Sequence, residues 1–228
     1  MLFGTILSLA VTASAIALPK GLGSSCDVSH AQINLPTTPP MLVAPTGTPS
    51  FIVLSMGTEN YTCTSAGTYM NIGAVAELFD ISCLYKTPIQ EAAYALWNAA
   101  PPSVTPLDLI ASLHNSTSHA ILGQHYVIRN PITGTGGVPK WDFTSQGVYK
   151  GNANAFVVAN IDSAVPAPNP ANAPYLRLTH LLGDLADQIY RVDTKGGQPP
   201  AGSCTPGSPV IAVRYTAKYW LFGGSIKK

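Results

Sequence analysis

Charge is scarce in this chain of 228 residues: Asp, Glu, Lys and Arg make up 10% of it, against about 25% in ordinary soluble domains. The net charge is +1, so there is no basic field to draw in nucleic acid and no acidic tail. Catalytic signatures are missing as well. The sequence has no G-x-S-x-G elbow, no G-x-G-x-x-G fingerprint after a strand and no C-x-x-C pair, which removes the common signals for a serine hydrolase, a dinucleotide enzyme and a zinc knuckle. Among the few acids, nothing singles out a pair spaced for glycoside hydrolysis. No internal repeat is visible, and no apolar run reaches the ~20 residues of a membrane span.

What is present points outward. Residues 1–17 form an apolar run ending in Ala15-Ile-Ala17, an A-x-A site that reads as a secretory signal peptide. The charged start of such leaders is absent, so this reading rests on the run and the cleavage site. Cleavage leaves a mature chain from near Leu18 of about 210 residues, enough for one domain with a sizeable core. A hydrophobic content of 46% argues against disorder. In an oxidising compartment the four cysteines Cys26, Cys63, Cys83 and Cys204 pair in one of three connectivities. Asn60-Tyr-Thr62 and Asn115-Ser-Thr117 are acceptor sequons for N-glycans.

Residues 18–50 are rich in Pro and Thr, and Pro removes backbone donors and fixes φ, so this stretch reads as an extended arm. From residue 51 to 228 a single β-rich domain follows. Short runs of β-formers (50–55, 60–64, 122–128, 140–143, 155–161, 174–180, 189–193, 210–222) alternate with Gly and Pro turns. The run 72–85 reads as a strand pair or one buried strand. This pattern predicts an all-β fold, an antiparallel sandwich or barrel. Residues 88–100 have helix formers behind a Pro and predict a short helical excursion, while 181–186 fit one helical turn. The rest of 87–119 reads as a loop or insertion over a sheet edge.

Several segments together resemble a family of secreted fungal and bacterial proteins known as a domain of unknown function (number three-four-five-five). They are Asn60-Tyr-Thr-Cys63, Ile72-Gly-Ala-Val-Ala76, Leu78-Phe-Asp80, Gly123-Gln-His-Tyr126, Pro139-Lys-Trp141, Pro174-Tyr-Leu-Arg-Leu178, Tyr190 to Gly197 and Val213 to Trp220. Some fungal genomes label such chains malate dehydrogenase-like, and the missing dinucleotide fingerprint speaks against that label here. The resemblance implies secretion and a β-rich fold, and no activity. It also implies that Cys63 pairs with Cys204 and Cys26 with Cys83. The local pairing of Cys63 with Cys83 stays open.

His125 stands out among titratable residues. It lies on a predicted strand shortly before Trp141 and Asp142, and an imidazole near a carboxylate is the usual start for acid–base work. With Tyr126 and Asp142 it forms the candidate catalytic set. A half-buried histidine packed on Trp141 is the plainer alternative. His114, His119 and His125 match neither the i, i+4 helix pair nor the i, i+2 strand pair of metal ligands, so no metal and no cofactor are expected. Trp141, Tyr175, Tyr190 and Trp220 are the candidate ligand-binding aromatics, suited to stacking on sugar rings or lining an apolar pocket. Alternation in the last strand places Arg214, Thr216, Lys218 and Trp220 on one face, opposite Tyr215, Ala217 and Tyr219. The favoured reading is a secreted, extracellular or cell-wall-associated binding protein for a polysaccharide or small apolar ligand. The alternative is a secreted hydrolase, isomerase or cyclase working from a pocket around His125 and Trp141.

Overall fold

The computed structural model describes residues 26–114, 116 and 118–226. The leader 1–17 and Asn115 lie outside the described residues. Eight strands run in sequence order around one closed antiparallel barrel. They are β1 (Pro49–Cys63), β2 (Tyr69–Asp80), β3 (Ile121–Arg129), β4 (Gly137–Asp142), β5 (Phe156–Val165), β6 (Tyr175–Leu182), β7 (Gln188–Gly196) and β8 (Ile211–Phe222). β8 closes on β1 from Pro49↔Phe222 to Tyr61↔Ile211, so the sheet has no free edge.

Strand alternation divides the apolar residues into two clusters. The inner one holds Phe51, Val53, Ala76, Leu78, Trp141, Val157, Leu178, Ile189, Tyr215, Ala217, Tyr219 and Leu221 among others. Small and large side chains mix there, as a narrow barrel demands. At one end Phe51 meets Phe143 and Tyr149 edge-on, each at 5.6 Å between ring centroids, and this trio plugs the barrel. The opposite end, towards the β1–β2 and β3–β4 hairpins, stays open.

The outer cluster lies under the arm and the β2–β3 connection. Val28 and Leu42 of the arm are buried with Ile52, Tyr190, Val192, Trp220 and Phe222, and Ala31, Ile33 and Leu35 pack against them. Tyr190 Oη donates to Val43 O at 2.8 Å, and Gln188 and Thr46 exchange two hydrogen bonds. The Cys26–Cys83 disulfide ties the arm to the turn after β2, and Cys63–Cys204 links the end of β1 to the segment before β8.

The helix expected over 88–100 forms as α1 (Ile89–Ala99). It lies on the barrel wall, where Trp97 Nε1 donates to Gly57 O at 2.7 Å. Arg214 caps its end. The Arg214 guanidinium donates to the carbonyls of Trp97, Ala100, Pro101 and Val104 and sits 4.8 Å from the Trp97 ring centroid.

Two expectations change, and a third is narrowed to one of its two alternatives. The loop reading of 106–113 gives way to a second helix, α2 (Pro106–Leu113), opened by a capping box between Thr105 and Asp108 with Pro at its start. The helical turn expected at 181–186 is absent, because Leu181 and Leu182 complete β6 and a bend follows. The run 72–85 is one strand followed by turns, not a strand pair.

Candidate functional site

The open end of the barrel encloses a cavity of about 550 Å³. Its walls are mostly apolar: Ala74, Val127, Leu176 and Leu178, with Met70, Ile72 and Ile161 at the mouth. These three mouth residues are exposed. Polar groups enter it from Glu59, Asn71, His125, Arg191 and Tyr219.

His125 and Trp141 are cross-strand partners on β3 and β4, both pointing inward. Gly123 makes this approach close. Its φ is +153°, and a Cβ there would fall 1.9 Å from Asp142 O, so only glycine fits. The imidazole stacks on the indole with centroids 4.4 Å apart, and Tyr219 packs against both rings. His125 Nδ1 lies 2.9 Å from Lys140 O. A carbonyl only accepts, so Nδ1 carries the proton. Burial drives the imidazole pKa from 6.5 down to about 4; the Lys140 carbonyl opposes this and Arg191 adds to it. The ring is therefore neutral at pH 7, with a bare Nε2.

Glu59 and Arg191 form an ion pair inside the barrel, 3% and 6% exposed respectively. Arg191 Nε also donates to Pro174 O at 3.0 Å, and Asn71 Nδ2 donates to Glu59 Oε2 at 2.6 Å. Tyr219 lies beside both Arg191 and Tyr215, and Ser55 Oγ donates to Tyr215 Oη at 2.9 Å. Burial works against the Arg191 charge, but Glu59 and the two tyrosines raise its pKa above the ordinary value. Burial pushes both Tyr215 and Tyr219 up, so they stay protonated.

The candidate catalytic set does not come together. Alternation sends His125 inward and its neighbour Tyr126 outward, and likewise Trp141 inward and Asp142 outward. On the outer face Tyr126 Oη donates to Asp142 Oδ2 at 2.6 Å, and Lys140 Nζ pairs with the same oxygen at 2.8 Å. Burial works to raise the Asp142 pKa, but Lys140, Tyr126 and Thr144 hold it at about 2. The barrel wall thus separates a neutral imidazole from a fixed carboxylate.

Of the candidate binding aromatics, Trp141 lines the cavity. Tyr175, Tyr190 and Trp220 belong to the outer cluster, and Trp220 also borders a second, polar groove with His30, Gln32 and Asn34 of the arm. Asn60 sits half-buried on β1, its Oδ1 accepting from Thr58 Oγ1 at 3.0 Å. His114 ends α2, His119 lies in a turn and His125 is in the barrel. Among the described residues no three His, Cys, Asp or Glu gather to hold a metal ion, and no helix is long and apolar enough to cross a membrane.

Glu59 and Arg191 are the residues that sequence reasoning missed. A signal exists for both. Phe51, Val53, Ser55, Gly57 and Glu59 share one face of β1, so a carboxylate closes an inward row. Arg191 follows Ile189 inward on β7 in the same way. A charge on an otherwise buried row marks a partner across the barrel.

No curated protein and no solved structure matches the chain. Residues 44–223 match DUF3455, a family described as proteins of unknown function, and the match takes in all eight strands. The chain therefore belongs to the DUF3455 family.

Proposed function

We propose that this chain is an extracellular binding protein that holds one small, largely apolar ligand in the open end of its barrel. The cavity of about 550 Å³ carries this reading: it lies in the range of small-molecule sites, and a few convergent polar groups are set into apolar walls. The exposed Met70, Ile72 and Ile161 around its mouth suit entry of an apolar molecule. A closed barrel is rigid, so the site is prebuilt and little ordering is needed on binding. Two disulfides fit an oxidising compartment, which agrees with the leader.

The outer aromatics favour the barrel over a polysaccharide platform. Tyr190 and Trp220 are covered by the arm and its neighbours, and Tyr175 is 9% exposed. The separation of His125 from Tyr126 and Asp142 favours binding over turnover.

The test is a titration with N-phenyl-1-naphthylamine, an uncharged dye that brightens in apolar sites. The expected result is saturable binding at one dye per chain. Ala74→Leu, which fills part of the cavity, weakens it. A wild-type protein that gives no saturable signal overturns the reading.

A further inference from the structure

The cavity's polar groups specify more than its size. Glu59 and Arg191 are already matched to each other, and both Glu59 oxygens are occupied, by Arg191 and Asn71. His125 is neutral, so the lining carries no uncompensated charge. An ionised ligand would bring an unpaired charge into this interior, and that is strongly disfavoured. Two neutral hydrogen-bonding groups stand apart from this ion pair. With Nδ1 committed to Lys140 O, Nε2 is the acceptor His125 has left, on a side chain that lines the cavity. The indole Nε1–H of Trp141, in the ring stacked on that imidazole, is a buried donor without a partner. A carboxylate or ketone offers acceptors only and leaves Nε2 unmatched. A hydroxyl both donates and accepts.

Resting on the binding function above, we propose that the ligand is an uncharged, mostly apolar molecule bearing a hydroxyl group, whose O–H donates to His125 Nε2. The hydroxyl is thereby told apart from a hydrogen and from an ionised acid on the same skeleton. His125 supplies the specificity, its ring held in place by the Trp141 stack, and the apolar walls supply affinity without choosing among skeletons of similar size.

Three probes of one shape test this by calorimetry at pH 7: 2-naphthol, naphthalene and 2-naphthoate. The expected order has 2-naphthol binding about ten-fold more tightly than naphthalene, with 2-naphthoate weakest. His125→Phe keeps a ring on Trp141 and removes the acceptor; it should bind naphthol and naphthalene within about two-fold of each other. Equal binding of naphthol and naphthalene by the wild type overturns the hydroxyl assignment and leaves the cavity function standing. Tightest binding by 2-naphthoate does the same. Failure of all three probes overturns both readings. The wild-type comparison stands by itself should His125→Phe fold poorly.

Discussion

The imidazole of His125 lies almost flat on the indole of Trp141, the two planes inclined by 21°. They meet because they are register partners on the inward face of β3 and β4. Burial makes a charge on this imidazole costly although the Lys140 carbonyl would favour it, so the residue ties barrel stability to pH.

A second buried group works in the opposite sense. Glu77 on β2 faces outward beneath the 144–150 turn and is fully buried, accepting from Gln146 Nε2. Burial raises its pKa from 4.5 to about 8, against opposing bonds from Gln124 and Gln146. Its other oxygen and Gln146 Oε1 are acceptors without partners; a proton on Glu77 adds the donor they lack. Folded Glu77 therefore binds its proton more tightly than the unfolded chain, and stability falls as pH rises from 4.5 to about 8. For His125 the unfolded chain binds the proton more tightly, so stability falls as pH drops from 6.5 to about 4. Each slope is about 1.4 kcal/mol per pH unit. Between pH 4.5 and 6.5 they cancel, and above 6.5 Glu77 acts alone. Urea unfolding is expected to give a level profile from pH 5 to 6.5 and a decline towards pH 8. Glu77→Gln abolishes that decline; an undiminished decline in this variant contradicts the assignment.

Arg191→Met leaves Glu59 charged and buried with Asn71 as its remaining polar partner. A loss of about 3–5 kcal/mol in unfolding free energy is expected. Replacing both, Glu59→Leu with Arg191→Met, recovers most of it, because no lone charge remains. A double-mutant cycle measures this, and simple additivity of the two losses argues against a buried, coupled pair.

Arg214 holds the end of α1 by hydrogen bonds to carbonyls from Trp97 to Val104. Arg214→Met is expected to free these carbonyls and loosen the helix while the barrel stays closed. Hydrogen exchange reads this directly: amides of residues 89–104 lose protection, and those of β1 and β8 do not. Uniform loss across both would mean that the helix is integral to the barrel.

Export makes a separate prediction. Protein recovered from the culture medium should begin near Leu18, without the 17-residue leader. Peptide mapping without reduction should join Cys26 to Cys83 and Cys63 to Cys204. Removing the first bridge with Cys26→Ser and Cys83→Ser together should lower stability by about 3–5 kcal/mol in the loop-entropy account and expose the arm to proteases. An intact leader on secreted material would refute the export reading.

Much of the barrel was legible because its signal is local. Alternation alone separates Tyr215, Ala217 and Tyr219 of the inner cluster from Trp220 of the outer one. Closure was not legible, since β1 and β8 are separated by the whole domain and no short-range pattern announces that pairing. α2 was overlooked although Thr105, Pro106 and Asp108 spell its start; the eight-residue helix was too short to stand out by periodicity. At the site, His125 and Trp141 were visible as a pair, but grouping them with Tyr126 and Asp142 followed sequence proximity where strand alternation divides them. Glu59 and Arg191 lie 132 residues apart, and only the rolled sheet makes them neighbours.

The seam between β1 and β8 also dictates when this molecule can fold during synthesis. The first strand leaves the ribosome with one side bare and must wait until residues 211–222 have followed before that side is filled. A nascent chain lacking them exposes ladder groups on β1 and β7, an invitation to wrong partners. Closure of this barrel therefore comes late in synthesis, and ribosomes stalled before residue 211 should present a chain that proteases still cut freely.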